Sequence, residues 1–189
     1  NLTVYTQDHP GLFARIAGAI ALLDASIVDA KIFTTKDGMA LDHFTIQDRG
    51  DKAFTDAARL KRLEKMIRQT MAGEVIPKRE LAKPAAMPSR TRKVFTVAPI
   101  VLIDNNASHT HTVIEVNGRN RQGLLHDVTR ALTDFGLQVT SAHISTYGER
   151  VVDVFYVRDV FGLKIDSLAK IAGVQNTLMQ AIGTSKGER

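Results

Sequence analysis

Two periodicities of apolar and polar positions alternate along the chain, and each predicts one type of element. Alternation with period two predicts strands, and apolar residues spaced three and four apart predict amphipathic helices. In the first part of the chain these patterns predict strands at 2–7, 26–35 and 39–47 and helices at 12–24 and about 54–71. An Asp37-Gly38 pair lies between the second and third strands, where it favours a hairpin turn with positive φ. The predicted order is β-α-β-β-α.

The same order of elements recurs in the second part of the chain. The patterns there predict strands at 112–117, 137–147 and 151–159 and helices at 122–135 and about 166–182. Asp8 and Asn120 stand at equivalent places in the two copies, 112 positions apart. Gly136 caps the first helix of the second copy, where Asp24 stands in the first. A repeat with so long a period predicts two copies of one structural unit.

A charged segment with several prolines separates the two copies. Residues 73–92 contain three prolines, which predicts a tether. The apolar run at 93–104 follows, and we predict that it is the missing fourth strand of the first unit, with Pro99 at a bulge or a sheet edge. The predicted units therefore span 1–104, tether included, and 112–183. The second copy lacks an obvious final strand.

These patterns predict an α+β fold with two ferredoxin-like βαββαβ units in tandem. Each unit is expected to be an antiparallel sheet with its helices on one face, free to pair side by side with another unit. Pairing within the chain or across a dimer would bring two units edge to edge. The glycine-containing turn between the first strand and first helix of one unit would then lie against the start of the second strand of its neighbour.

Composition and charge narrow the classes of function. The 189 residues are 44% hydrophobic, which is ordinary for a soluble globular protein, and they include no cysteine, which excludes disulfides and thiolate metal sites. No apolar run is long enough to cross a bilayer, so we predict a cytoplasmic protein without a membrane partner. Residues 54–93 carry eleven Lys/Arg against four Asp/Glu, so the basic surplus is local and a nucleic-acid partner is disfavoured. The start at Asn1 reads as a piece of a longer protein.

The two strand-to-helix corners are the candidate binding sites. A glycine in each, Gly11 and Gly123, permits a tight turn and the close approach of a ligand to the backbone. The unpaired amides that open the helices favour a carboxylate or phosphate, and the Asp8 or Asn120 side chain can accept a hydrogen bond from a ligand ammonium. A tight turn alone, or helix capping by Asp8 and Asn120, is the simpler interpretation. The candidate ligand-binding residues are the corners and the strand segments expected to face them: Asp8, His9, Pro10, Gly11, Leu12, Phe13, Val28, Asp29, Asn120, Arg121, Gln122, Gly123, Leu124, Leu125, Thr140 and Ser141.

No catalytic or metal-binding constellation stands out in the sequence. His126 and Asp127 form one His-Asp pair, but no second pair has a helical context, so both are predicted to be surface residues. His109 and His111 have no third ligand nearby. The chain has neither a phosphate-binding loop nor a Gly-x-Ser-x-Gly turn. We therefore predict no catalytic residue, metal or cofactor in this chain.

The two corners and the elements around them resemble the ACT domain family. The first corner reads Asp-x-Pro-Gly-Leu-Phe and the second Asn-Arg-x-Gly-Leu-Leu, each between the first strand and the first helix of its unit. The resemblance implies ferredoxin-like regulatory modules that bind amino acids. The tandem, with Gly-Glu-Arg-Val-x-Asp-x-Phe at 148–155, is similar to the C-terminal region of the bacterial bifunctional uridylyltransferase/uridylyl-removing enzyme family.

This resemblance implies a function that the residues alone do not supply. The tandem is expected to sense an amino acid, glutamine in the first place, and to control N-terminal catalytic domains that attach UMP to the PII nitrogen-regulatory protein and remove it. Those absent domains are expected to need Mg²⁺, and the ACT units are expected to associate with one another. Two alternatives stay open: an ACT region of another amino-acid-responsive enzyme, and a nucleic-acid-binding ferredoxin-like module.

Overall fold

The computed structural model describes residues 1–48, 52–83, 98–147 and 150–183. The strands in these ranges are β1 (Leu2–Gln7), β2 (Ser26–Lys31), β3 (Met39–Asp48), β4 (Lys52–Ala53), β5 (Ile100–Asp104), β6 (Thr112–Arg119), β7 (Leu137–Tyr147) and β8 (Arg150–Asp159). The helices are α1 (Leu12–Leu22), α2 (Ala57–Met71), α3 (Pro77–Ala82), α4 (Leu124–Asp134) and α5 (Leu168–Gly183).

The strands form one antiparallel sheet that runs through both units. Their order is β1-β3-β2-β7-β8-β6-β5, with β4 paired to the end of β3. The helices contact one another in the order α2-α1-α4-α5, and α4 and α5 also contact strands of the second unit. This arrangement confirms the α+β fold of two ferredoxin-like units.

Period-two alternation explains which face of β3 packs against the helices. Ala40, Phe44 and Ile46 are buried on the face that meets the helices, while Leu41 on the other face is exposed. Phe44 contacts Phe13 of α1, with ring centroids 5.7 Å apart. Burial of such side chains stabilises a fold by about 1.5–3 kcal/mol each, so the core fixes the orientation of α1 and of the turn before it.

The two units meet at β2 and β7, where Ala30 pairs with Ala142. These residues are fully buried and occupy equivalent positions of the repeat, so a pseudo-two-fold axis passes between them. Above the strands α1 packs against α4, and His126 Nδ1 lies 2.8 Å from the Ala14 carbonyl oxygen. The side-by-side pairing of units therefore occurs within a single chain.

The prediction that residues 93–104 supply the fourth strand of the first unit is wrong where the structure describes them. β5 (Ile100–Asp104) pairs with β6 instead, from Ile100 opposite Asn117 to Asp104 opposite Val113. An apolar run carries no information about which sheet edge it joins. The short connection to β6 makes that pairing the one with the smaller loop-closure cost. In the described part of the chain β1 therefore lies at the edge of the sheet.

The predicted tether at 73–92 is also not uniformly irregular. Its described part contains α3, which begins at Pro77, a residue suited to the first turn of a helix because it lacks an amide hydrogen. Pro77 and Leu81 are buried against the first unit's helix α1 and the second unit. Tertiary packing, and not local periodicity, accounts for so short a helix.

Candidate functional site

At the first corner (residues 8–13) a glycine turns the chain from β1 into α1. Gly11 has φ 83° and ψ 4°, in the left-handed region that glycine enters at little cost. Within the described residues no backbone carbonyl accepts a hydrogen bond from the amide of Phe13 or Ala14. These donors lie at the positive end of the helix dipole, where they favour an anionic group.

A cavity of about 140 Å³ lies between the first corner and the second unit. The first unit contributes the corner itself, Ile32 and Thr34 from the β2–β3 connection, and Asp42 from β3. The opposite wall comes from α4 and from the start of β7. Its residues are Thr129, Thr133, Leu137, Gln138, Val139 and Thr140. A cavity of about 150 Å³ can hold a benzene molecule, so the space suits a small metabolite.

The polar side chains of the first corner make few hydrogen bonds to the rest of the protein. The Thr34 hydroxyl donates to Asp8 Oδ2 at 2.6 Å, and the Asp8 carboxyl is otherwise exposed. His9 Nδ1 lies 3.0 Å from the Pro10 carbonyl oxygen. Because a carbonyl only accepts, Nδ1 is the protonated nitrogen in this contact. The first corner thus keeps polar side chains at the border of the cavity.

One of the residues that border the cavity is a buried carboxyl. Asp42 is 1% exposed, and no described residue is in hydrogen-bonding geometry with either of its oxygens. Burial raises the pKa of this carboxyl to about 7, the nearby Phe33 amide opposes the rise, and the Asp8 charge adds to it. The equivalent Asp153 is 2% exposed and its pKa is also raised to about 7 by burial, but its Oδ1 accepts from the Ser145 amide at 3.3 Å.

The second corner (residues 120–125) has the same backbone and different side-chain contacts. Gly123 has φ 78° and ψ 3°, close to the values of Gly11. Gln122 Nε2 donates to two groups of the first unit, the Ala21 carbonyl at 2.7 Å and Asp24 Oδ1 at 2.8 Å. Arg121 Nη2 lies 2.7 Å from Asp127 Oδ2. The long polar side chains of this corner therefore bond to the protein itself.

Helix α3 also covers the second corner. A Cβ atom at position 123 would lie 3.1 Å from Leu81 Cδ1, and one at position 18 would lie 2.4 Å from Pro77 Cβ. Glycine at 18 and 123 is therefore what permits α3 to approach α1 and the second corner closely. The first corner has a more open neighbour, since a Cβ at position 11 would lie 3.5 Å from Thr133 Cγ2.

The structure divides the predicted ligand-binding residues into two groups. Those that border the cavity are Asp8, His9, Pro10, Gly11, Leu12, Phe13 and Thr140. Those that do not border it are the second corner (Asn120, Arg121, Gln122, Gly123, Leu124, Leu125), the β2 residues Val28 and Asp29, and Ser141 on β7. Thr140 is the bulged residue of β7 and donates its hydroxyl to the Tyr156 carbonyl at 3.0 Å.

Several cavity residues were not predicted from the sequence. They are Ile32, Thr34, Asp42, Thr129, Thr133, Leu137, Gln138 and Val139. For Asp42 a signal exists, because it shares its strand face with the buried Phe44 and Ile46. A carboxyl on a core face is rare unless it is paired or functional, and this rule could have identified it.

The prediction that His126 is a surface residue is wrong. It is 4% exposed and lies at the contact of α1 with α4, where Nδ1 bonds to the Ala14 carbonyl at 2.8 Å. Burial lowers the pKa of this imidazole, with a smaller opposing effect from the Ala14 bond. The described ranges contain no group of three or more His, Cys, Asp or Glu residues placed to hold a metal ion.

In the parts of the chain that the structure describes, no helix combines the length and apolar character needed to cross a membrane.

Comparison with known proteins agrees with the fold. Residues 1–66 match the ACT domain and residues 107–188 match the ACR family N-terminal ACT domain. The chain is 53% identical over 182 residues to the bifunctional uridylyltransferase/uridylyl-removing enzyme of Azospirillum brasilense. It is 53% identical over 180 residues to that of Rhodospirillum rubrum and 50% identical over 182 residues to that of Gluconobacter oxydans.

These three alignments cover 96%, 95% and 96% of this chain but 20%, 19% and 19% of the relatives. The chain therefore spans about a fifth of the length of the curated relatives it matches. With two matching domains joined in one sheet, the chain belongs to the ACT domain family and corresponds to the ACT region of the bifunctional uridylyltransferase/uridylyl-removing enzymes.

Proposed function

We propose that the chain is an amino-acid-sensing regulatory region that binds glutamine at its first corner. In this proposal it controls uridylylation and deuridylylation of the PII nitrogen-regulatory protein by catalytic domains outside the chain. The observation that carries the proposal is the cavity between residues 8–13 of one unit and residues 137–140 of the other. The names of the relatives supply the pair of reactions.

The chemistry of the cavity suits both ends of an α-amino acid. The amides of Phe13 and Ala14 favour its carboxylate, and the carboxyls on the same side favour its ammonium. The wall from the second unit has no ionisable side chain, and its polar groups include Thr133 and Gln138. Such a wall suits an uncharged carboxamide better than a charged side chain, which favours glutamine over glutamate.

A ligand at this place touches both units and can therefore act as a switch. The cavity walls come from different units, which meet at the pairing of Ala30 with Ala142. A ligand that fits one arrangement of the units better than another shifts the equilibrium by the difference in its two binding free energies. We propose that this shift is what the catalytic domains sense.

A thermal-shift screen of the twenty common amino acids against the 189-residue chain tests ligand binding. At one hundred times its Kd a ligand adds about 2.7 kcal/mol to the unfolding free energy, which raises the Tm by roughly 5–10 °C for a chain of this size. Glutamine is expected to give the largest rise. If none of the twenty changes the Tm or gives heat in calorimetry, the proposed function is wrong.

A pair of glycine variants tests whether the ligand binds at the first corner. Gly11→Val is expected to abolish glutamine binding, because it strains the left-handed backbone and adds methyl groups beside Thr133. Gly162→Val is the matched control, since Gly162 has φ 79° and open space around it. Equal loss in both variants would mean that the first corner is not the site.

The regulatory part of the proposal needs the full-length enzyme. UMP transfer to PII and UMP removal are measured with and without glutamine, in the wild type and in Gly11→Val. Glutamine is expected to change the ratio of the two rates only in the wild type. Salt-dependent binding of RNA that glutamine does not affect would instead favour a nucleic-acid-binding function, which the exposed Lys61, Arg62 and Lys65 of α2 could serve.

A further inference from the structure

Asp42 differs from every other charged group at the cavity. The ionisable side chains in the cavity wall are Asp8, His9 and Asp42, all from the first unit. Asp8 is exposed and accepts from Thr34, and His9 bonds to a carbonyl in its own corner. Asp42 alone is 1% exposed, and the nearby Phe33 amide is not in hydrogen-bonding geometry with either of its oxygens.

A buried, unpaired carboxyl is an unfavourable arrangement unless it has a use. Desolvation disfavours its ionised form strongly, and an apolar residue of similar size would avoid the cost. The face of β3 that carries Asp42 is otherwise formed by Ala40, Phe44 and Ile46, so an apolar residue would fit the pattern. A cation that enters the cavity would relieve this cost, because ion pairs are strongest where water is excluded.

We propose that Asp42 determines the ligand specificity of the cavity, by pairing its carboxylate with the ammonium group of the bound amino acid. The inference rests on the proposed amino-acid function of the same cavity and names the group that selects for a cationic nitrogen. The carboxylate of the ligand then lies toward the Phe13 and Ala14 amides, and its side chain toward the wall of α4 and β7.

The pairing includes a rearrangement of one side chain in the cavity wall. Asp42 is screened from water, and Thr34 also borders the cavity. The Thr34 hydroxyl bonds to Asp8, and this single bond is all that holds the hydroxyl in place in the described structure. When the ammonium enters, it replaces that hydroxyl as the partner of Asp8 and reaches Asp42.

Binding through Asp42 is coupled to a proton. Because burial raises the pKa of the free carboxyl to about 7, it is protonated in about half of the molecules at pH 7. An ammonium beside it lowers that pKa, so the ligand binds the ionised form and expels the proton. Affinity therefore rises with pH through about 7 and is about eightfold weaker at pH 6 than at pH 7.5.

Isothermal titration of the 189-residue chain with L-glutamine tests the pairing. Asp42→Asn is expected to weaken binding at least tenfold at pH 7.5 and to abolish its dependence on pH. Asp153→Asn is the matched control, because Asp153 is equally buried at the equivalent position but does not border the cavity. It is expected to leave both affinity and pH dependence unchanged. The des-amino analogue 4-carbamoylbutanoate is expected not to bind the wild type.

Proton release provides a second measurement that needs no variant. Titrations of the wild type at pH 7 in buffers of different ionisation enthalpy are expected to show about half a proton released per glutamine. His9→Gln tests another titratable group of the cavity wall, and this variant is expected to retain the pH dependence.

The outcomes separate the inference from the function on which it rests. If glutamine binds the wild type but Asp42→Asn has the same affinity and pH dependence, or no proton is released, the role of Asp42 is wrong and the amino-acid site stands. If the pH dependence disappears in His9→Gln, His9 is the coupled group. If no amino acid binds the wild type, both the function and the inference are overturned.

Discussion

The two corners of this chain have nearly the same backbone and opposite relations to their surroundings. Gly11 and Gly123 differ by 5° in φ, from 83° to 78°, and each begins a helix at the next residue. The first corner borders a cavity, whereas the second is bridged to the other unit by Gln122 and covered by Leu81. A duplicated motif therefore supplies a duplicated turn, and the side chains around it decide whether a ligand can enter.

The two units also differ in which element supplies an arginine to the end of their second long helix. In the second unit Arg121 reaches from the corner to the Ala181 carbonyl at 2.6 Å, near the end of α5. In the first unit Arg15 of α1 bonds to the Thr70 carbonyl at 3.4 Å, at the equivalent place near the end of α2. The corner residue of the first unit, His9, does not make this contact and borders the cavity.

The largest expected effect is on the pH dependence of stability, which the buried carboxyls of Asp42 and Asp153 control. It compares the cores of the two units. Between pH 4 and 7 folded Asp42 and Asp153 keep protons that the unfolded chain has lost, so stability falls as pH rises through this window. Asp42→Asn and Asp153→Asn should each remove at most about 4 kcal/mol of this fall.

Urea unfolding at pH 4.5 and 7.5 measures the change. Asp37→Asn is the control, because the Asp37 carboxyl is exposed and its pKa is lowered, mainly by the Thr35 hydroxyl. The stabilisation that Asp37 contributes is lost only as pH falls below about 3.8, so Asp37→Asn should change stability between pH 4.5 and 7.5 as the wild type does. A wild type whose stability rises between pH 4.5 and 7.5 by the same amount as both Asn variants would contradict the prediction.

The second effect is on binding, and it compares the corners directly. Gly11→Val is expected to weaken glutamine binding by at least a hundredfold, or about 2.7 kcal/mol, whereas Gly123→Val should change it less than twofold. Both variants are expected to lose about 1–3 kcal/mol of stability, because both place a side chain at positive φ. Calorimetry at equal folded concentration separates the two effects. Equal loss of affinity would mean that both corners bind.

The third effect concerns the helix over the second corner. Leu81→Ala is expected to lower the unfolding free energy by about 2 kcal/mol, because Leu81 is 9% exposed and packs over Gly123. Leu168→Ala is the control, since Leu168 is 82% exposed and its truncation should cost less than about 0.5 kcal/mol. Chemical denaturation measures both, and equal values would mean that α3 does not stabilise the second corner.

The smallest effect is expected at Gln122, and it tests what closes the second corner. Gln122→Ala removes the bonds to the Ala21 carbonyl and the Asp24 carboxylate, which should cost about 1 kcal/mol of stability. In combination with Leu81→Ala it is expected to raise the calorimetric stoichiometry of glutamine from one to two per chain. A stoichiometry that stays at one would show that other residues close this corner.

Local pattern predicts most of the elements, because each depends on short-range alternation and turn chemistry. β1 and β7 are found over the predicted residues, and Gly38 has φ 81° in the turn where the Asp-Gly pair predicts positive φ. The two corners follow from the repeat, but of the strand residues expected to face them Thr140 borders the cavity, whereas Val28, Asp29 and Ser141 do not. The cavity at the first corner is the result of the pairing between the two units.

The remaining features depend on long-range contacts that no local pattern encodes. β5 joins the second unit because its chain connection is short, and α3 is helical because Pro77 and Leu81 pack against other elements. The second corner is closed in part by the hydrogen bond from Gln122 to Asp24 of the first unit, 98 residues earlier in the chain. Such a contact can be seen only when the relative position of the two units is known.

The alanine pair on the pseudo-two-fold axis has a mechanical consequence. Ala30 and Ala142, both small and fully buried, pair β2 with β7 between the two units, in addition to the packing of α1 against α4. A tilt about this pair within the plane of the sheet widens the gap between the units at one end and narrows it at the other. We expect the two units to tilt relative to each other, so that a ligand bound at the first corner changes the length of the Gln122 hydrogen bonds at the second corner.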